Sequence, residues 1–126
     1  MVSKDCRYTE KHEWARKEGD AVYVGISDYA QNELGDIVFV EIPQEGGKIA
    51  KGDTITTIES VKAVSDIYAP IGGTIIAVNG KLEDEPETIN SDPFGEGWIV
   101  SIAPDDPSAI DQLLSSEEYE KLIKEA

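Results

Sequence analysis

The chain has 126 residues, with 26 acidic against 11 basic side chains and a formal charge of −15. A surface of that sign repels phosphate backbones and anionic bilayers, so it argues against nucleic acid or membrane partners and favours encounters with basic protein faces. The length fits one domain able to bury roughly two-thirds of its unfolded surface, and 40% apolar residues with a mean hydropathy of −0.32 describe an ordinary water-soluble chain.

The opening Met1-Val2-Ser3-Lys4-Asp5 lacks the apolar core of a secretion signal, and no Arg- and Ser-rich presequence follows. The expected location is therefore the cytoplasm, or the mitochondrial matrix for a eukaryotic chain whose presequence has been removed. Cys6 is the only cysteine, so no internal disulfide supports the fold. Trp14-Ala15-Arg16 and Ala21 to Ile26 flank Lys17-Glu18-Gly19-Asp20, which predicts a hairpin. Ser27 can cap a short helix over residues 27–34, and Gly35 can end it in the left-handed conformation that Cβ-bearing residues resist. Residues 36–42 form a near-continuous apolar strand stopped by Pro43. Thr54 to Ser60 and Ala63 to Tyr68 read as paired strands with only Val61-Lys62 between them. Gly72-Gly73 precedes a strand at 74–78. Asn79 to Asn90 reads as a turn or irregular short helix, and Trp98 to Ile102 as the last strand. Asp106 and Pro107 open a predicted helix carrying Ile110, Leu113 and Leu114. Ser116 caps a second, with Tyr119, Leu122 and Ile123 on one face. Gly35 to Val40 also resembles Gly73 to Val78, a faint repeat on either side of Lys62. Together these elements predict a mainly β fold, a flattened barrel or sandwich of two antiparallel sheets. A short helix near 27–34 and C-terminal helices complete it. The expected organisation is one domain over 1–126, with a core at about 8–103 and a helical segment at about 106–125.

Catalytic patterns are scarce. There is no phosphate loop, nucleophile elbow or metalloprotease motif. His12 is the only histidine and no second soft ligand accompanies it, which speaks against a metal site. Glu83-Asp84-Glu85 lacks the alternating ligands and central glycine of a calcium loop. Lys62 stands apart through its place at a hairpin tip. By spacing alone it reads as a solvated turn lysine. The same position exposes its amine to a modifying enzyme, with rigid strands fixing where an attached arm would begin.

The segment Glu59-Ser60-Val61-Lys62-Ala63 resembles the lipoylation motif of the glycine cleavage H-protein family. The likeness extends to Tyr8-Thr9-Glu10-Lys11-His12-Glu13-Trp14, to Val24 through Gln31, to Leu34 through Val40, to Leu82 through Pro93 and to Gly95-Glu96-Gly97-Trp98. It is collinear over nearly the whole chain. The resemblance implies a lipoyl-like fold and a non-catalytic carrier, with lipoic acid joined by an amide to Lys62. A pyridoxal-phosphate glycine decarboxylase would load an aminomethyl group onto the arm. A tetrahydrofolate-dependent aminomethyltransferase would unload it, and dihydrolipoamide dehydrogenase would reoxidise the dithiol. The chemistry belongs to the cofactor and these partners. By the same resemblance Glu59 is an acidic cue for the lipoate-attaching enzyme, Gly46 and Gly73 affect lipoylation, and Glu13 and Asp66 line a cleft sheltering the loaded arm. As plain residues the two glycines are turn geometry and the two carboxylates are surface charges. Lys11 stands where some members have a cleft serine.

Three other carriers compete. A biotin carrier flanks its lysine with methionines, whereas Val61 and Ala63 flank Lys62. A lipoyl domain of a 2-oxo-acid dehydrogenase is usually shorter and favours Asp before the lysine. An H-like relay or redox scaffold outside glycine cleavage differs least from the main reading.

Overall fold

The structure, a computed structural model, describes residues 2–125. Nine strands run β1 (Arg7–Tyr8), β2 (Glu13–Glu18), β3 (Ala21–Ile26), β4 (Ile37–Val40), β5 (Lys48–Ile49), β6 (Thr54–Ser60), β7 (Val64–Tyr68), β8 (Gly73–Val78) and β9 (Val100–Pro104). Four α-helices are α1 (Asp28–Leu34), α2 (Lys81–Asp84), α3 (Thr88–Ser91) and α4 (Ser116–Lys124). One sheet has six strands in the order β1-β2-β3-β9-β8-β5, and the other has three, β4-β6-β7. Every pairing is antiparallel. The two sheets are open, so the sandwich reading holds and barrel closure does not.

The inner faces are aliphatic. Val24, Ile26, Ile58, Ile67, Ile75 and Ile102 belong to one buried cluster drawn from both sheets. A second cluster, Cys6, Tyr8, Trp14 and Tyr119, seats α4 against the first two strands. Tyr8 and Tyr119 stack with ring centroids 4.2 Å apart. Burial pushes the Cys6 thiol above its ordinary range and so disfavours its thiolate.

Several sequence readings shift. Pairing of the two-residue strands β1 and β5 is too short to leave a periodic signal. The last strand begins at Val100, two residues later than predicted. The helix expected from Asp106 is only a 3-10 turn at Ala109–Gln112. The Asp106 carboxylate accepts the Ser108 N–H at 3.0 Å and its hydroxyl at 2.7 Å, a local turn that competes with helix. Leu114 is then drawn into an antiparallel bridge with Tyr8, through two bonds of 2.9 Å. Helix α4 is capped by Ser115 instead of Ser116, in a reciprocal box with Glu118. The two halves of the faint repeat lie in different sheets, as β4 and β8.

Candidate functional site: a braced hairpin lysine

Lys62 lies in the three-residue link 61–63 between β6 and β7, one residue longer than the strand pattern suggested. The turn contains no glycine and no positive φ. Its geometry comes from Ser60. The Ser60 hydroxyl oxygen accepts the N–H of Lys62 at 3.2 Å and of Ala63 at 3.0 Å, while the Ser60 N–H donates to the Ala63 carbonyl at 2.8 Å. A second brace comes from outside the hairpin. Val61 N–H donates to the Asp36 carbonyl at 3.0 Å. Asp36 is held in turn by Asn90 of α3, whose amide donates to the Gly35 carbonyl at 2.9 Å and accepts the Ile37 N–H at 2.9 Å. The tip is therefore fixed to the end of α1 and the start of β4.

Lys62 is exposed, and among the described residues it enters no ion pair. Its side chain passes over Gly35. A Cβ at residue 35 would stand 3.1 Å from Lys62 Cε, and Gly35 has φ +76°. Glycine there serves twice, ending α1 and leaving room for the lysine stem. The sequence marks Gly35 as a helix stop and gives no sign of its place beneath the lysine stem. The Ser60 bonds are local and follow the ordinary habit of a turn serine, whereas Asn90 carried no local signal for its bracing role, because its bonds depend on tertiary placement.

The other sequence-derived residues fall in separate places. Glu59 is exposed on β6, between Phe39 and Val64 in the cross-strand register. Asp66 is exposed on β7 and accepts the Thr57 hydroxyl at 2.9 Å. Glu13 opens β2 and is 2% exposed. One of its oxygens accepts the Thr9 hydroxyl at 2.5 Å, and the other accepts the Tyr68 N–H at 3.1 Å, which ties the six-stranded sheet to the three-stranded one. Burial raises the Glu13 carboxyl above the usual carboxylate range, against the pull of Thr9, Tyr68 and the Lys11 charge. Gly73 lies in the six-stranded sheet and Gly46 in the turn that leads into its strand β5. Gly46 has φ +87° and donates to the Ile75 carbonyl at 2.7 Å. Gly73 sits opposite Pro104 and Ile49 at the start of β8.

Two pockets of about 340 Å³ flank β7. The first is a groove between α1 and β7, walled by Ile26, Ala30, Leu34 and Ile67 and beginning beside Gly35. The second contains Glu13, Thr9, Lys51, Tyr68 and Leu113. Lys11 lines both, with its ammonium 4.1 Å from the centre of the Tyr68 ring. Asp66 lines neither, because alternation along β7 turns Ser65 and Ile67 toward the groove and Asp66 away from it. Glu13 and Asp66 therefore do not share a wall of either pocket. His12 packs on Tyr29 and places Nδ1 2.7 Å from the Tyr119 hydroxyl, a structural contact. Among the described residues no three His, Cys, Asp or Glu converge as metal ligands, and no helix is long and apolar enough to cross a membrane.

The fold is an open two-sheet sandwich that carries exposed Lys62 on a doubly braced hairpin turn. The comparisons name its family. A profile described as glycine cleavage H-protein matches residues 6–126, and the chain belongs to that family. It is 52% identical over 123 residues to a probable glycine cleavage system H protein of Haloarcula marismortui, covering 98% of this chain and 97% of that one. It is also 52% identical over 124 residues to a probable H protein of Aeropyrum pernix, with 98% and 87% covered. The crystal structure of a glycine cleavage system H protein from Mycobacterium marinum superposes with a TM-score of 0.89 at 39% identity, covering 98% of this chain and 99% of that chain.

Proposed function

We propose that this chain is the lipoyl carrier of a glycine cleavage system, one domain over 1–126 with no catalytic activity of its own, modified on Lys62. The observation that carries the reading is the exposed Lys62 amine on its braced turn, with its stem laid over a residue that has no Cβ. That space suits an amide-linked arm. When attached, the lipoyl group supplies a disulfide that takes the aminomethyl unit from glycine decarboxylase and yields it to the aminomethyltransferase, and dihydrolipoamide dehydrogenase restores it.

The chain's own residues bind and shield. Ser60, Asp36 and Asn90 fix the origin of the arm, so its tip samples a limited volume at high effective concentration. The groove wall of Ile26, Ala30, Leu34 and Ile67 offers apolar cover from water, and Leu34 precedes the glycine over which the lysine stem lies. Strand β7 runs from Val64 to Tyr68, roughly 16 Å of backbone at ~3.3 Å per residue from the turn. Its far end carries Tyr68 and the Glu13 carboxylate, which would place negative charge near the ammonium of a loaded arm. Asp66, on the outer face, reads instead as part of the surface that partners meet. Glu59 serves on that face as the acidic cue for the attaching enzyme, while Gly46 and Gly73 act through the fold that holds the tip in place.

The test is intact mass after co-expression with a lipoate-attaching enzyme and lipoate. One lipoyl amide is expected on the wild-type chain and none on Lys62→Arg. An adduct that persists in Lys62→Arg would refute the assignment. Glycine–bicarbonate exchange with glycine decarboxylase, compared for modified and unmodified chains, then separates glycine cleavage from an H-like relay.

A further inference from the structure

The apolar side chains left outside the core are not scattered. Among the described residues the large exposed ones are Val38, Phe39, Val61, Val64 and Ile76. The first four gather around Lys62. Val61 and Val64 flank it in the turn and at the start of β7, and the register sets Phe39, Glu59 and Val64 side by side across three strands. Val38 joins them through a bulge. Ile37 pairs with Ser60 and Phe39 with Glu59, so two steps on β4 oppose one step on β6. A regular strand would turn one of the two inward; here Val38 is 54% and Phe39 49% exposed. Further from the tip the same face turns polar and acidic, with Thr57 opposite Asp66 and Glu41 bonded through its N–H to Thr57.

Apolar surface concentrated beside one reactive group is the mark of an interface. We infer that this face, extending from the hairpin tip across β6 onto β4, is the docking surface for the enzyme that acylates Lys62. The inference rests on the reading of Lys62 as the attachment site. Any enzyme that builds an amide on that amine must cover Val61 and Val64, its near neighbours, and Phe39 lies one strand beyond Val64 on the same face, with Glu59 between them. The partner's character follows from charge. Asp36, Glu41, Glu59 and Asp66 surround the apolar residues, and among the described residues none of the four is in an ion pair. A complementary seat therefore has an apolar rim beside arginine or lysine side chains. The footprint is lopsided, reaching onto β4 and not into the groove beside α1.

The experiment is steady-state lipoylation by a purified lipoate–protein ligase with ATP and lipoate, followed by intact mass, on wild type, Phe39→Ser, Val38→Ser and Ile76→Ser. Ile76 is an equally exposed apolar residue on the other sheet and serves as the control. Melting temperatures confirm that each variant is folded. The expected result is a KM for the protein raised about tenfold by Phe39→Ser with kcat within about twofold, and Ile76→Ser close to wild type. Added salt should raise the wild-type KM as well. If the wild-type chain is modified at Lys62 and Phe39→Ser behaves like Ile76→Ser, the surface is overturned alone. If the wild-type chain takes up no lipoyl group, the attachment reading falls and the surface falls with it.

Discussion

Gly73→Ala separates a steric role from a recognition role. A Cβ at this position would stand 2.2 Å from the Ala103 carbonyl oxygen and 2.7 Å from Ile102 Cγ2. A carbon–oxygen contact settles at about 3.3 Å or more, so β8 and β9 must part by about 1 Å at that point. The obstacle is backbone held in a ladder, with Gly73 paired to Pro104 on one side and Ile49 on the other, so no side-chain rotation relieves it. Overpacking of this kind costs about 2 kcal/mol and a weakened neighbouring ladder bond about 1 more, together about 3 kcal/mol. At ~2.1 cal/mol/K of unfolding entropy per residue, the 126 residues give ~0.26 kcal/mol/K. The expected fall in Tm is about 11 °C. Gly46→Ala meets nothing within 4 Å and carries only the strain of φ +87°, about 1–2 kcal/mol and hence a smaller fall of about 4–8 °C. Thermal melts by circular dichroism rank the two, and lipoylation assayed well below each Tm should follow the folded fraction. A Gly73→Ala chain that melts within about 2 °C of wild type, yet is no longer lipoylated, would refute the steric account and make Gly73 a contact of the attaching enzyme.

Glu13→Gln tests the burial of that carboxylate. Its folded pKa is raised, so between its unfolded and folded values the native chain holds the proton more tightly, and its contribution to stability declines as pH rises through that window. The wild-type minus Glu13→Gln difference in unfolding free energy, from urea titrations at successive pH values, should therefore fall from acid toward neutral pH and then level off; a rising difference would reverse the assignment. Tyr119→Phe removes a hydroxyl 2.7 Å from both His12 Nδ1 and Ser27 Oγ, and burial pushes that phenol up to about 12. The loss should be about 1–3 kcal/mol in urea unfolding with an unchanged m-value, since two inner polar groups lose a partner; a neutral substitution would show that water replaces the hydroxyl freely.

Much of the fold was legible where a local rule governs. Gly19 marked the first hairpin and with it β3, Ser27 and Gly35 bounded α1, and the threonines and isoleucines of 54–60 outlined β6. Lys62 stood in a gap between two strand patterns, so its apex position followed from spacing. The failures have a common cause in long-range pairing. β1 exists because Arg7 and Tyr8 pair with Ala15 and Trp14 of β2, and the return of Leu114 to bridge Tyr8 cuts short the helix predicted from Asp106. The run 36–42 read as a near-continuous apolar strand; the bulge at Val38, set by pairing with β6, turns two of its residues outward. The brace from Asn90 spans from α3 to the link before β4, with no signature at either end. Glu13 and Asp66 look alike as isolated carboxylates, and only the strand faces distinguish the inward one from the outward one.

The stacked pair Tyr8 and Tyr119 has a consequence for how the molecule is made. Synthesis delivers Tyr8 well before Leu114, which bridges it, and Tyr119, which stacks on it. A chain made only as far as residue 104 lacks both, so Tyr8 has neither its backbone bridge nor its stacked ring. Closure of the first sheet's edge therefore waits for those residues, and a chain lacking them would bare an aromatic ring that the folded protein hides.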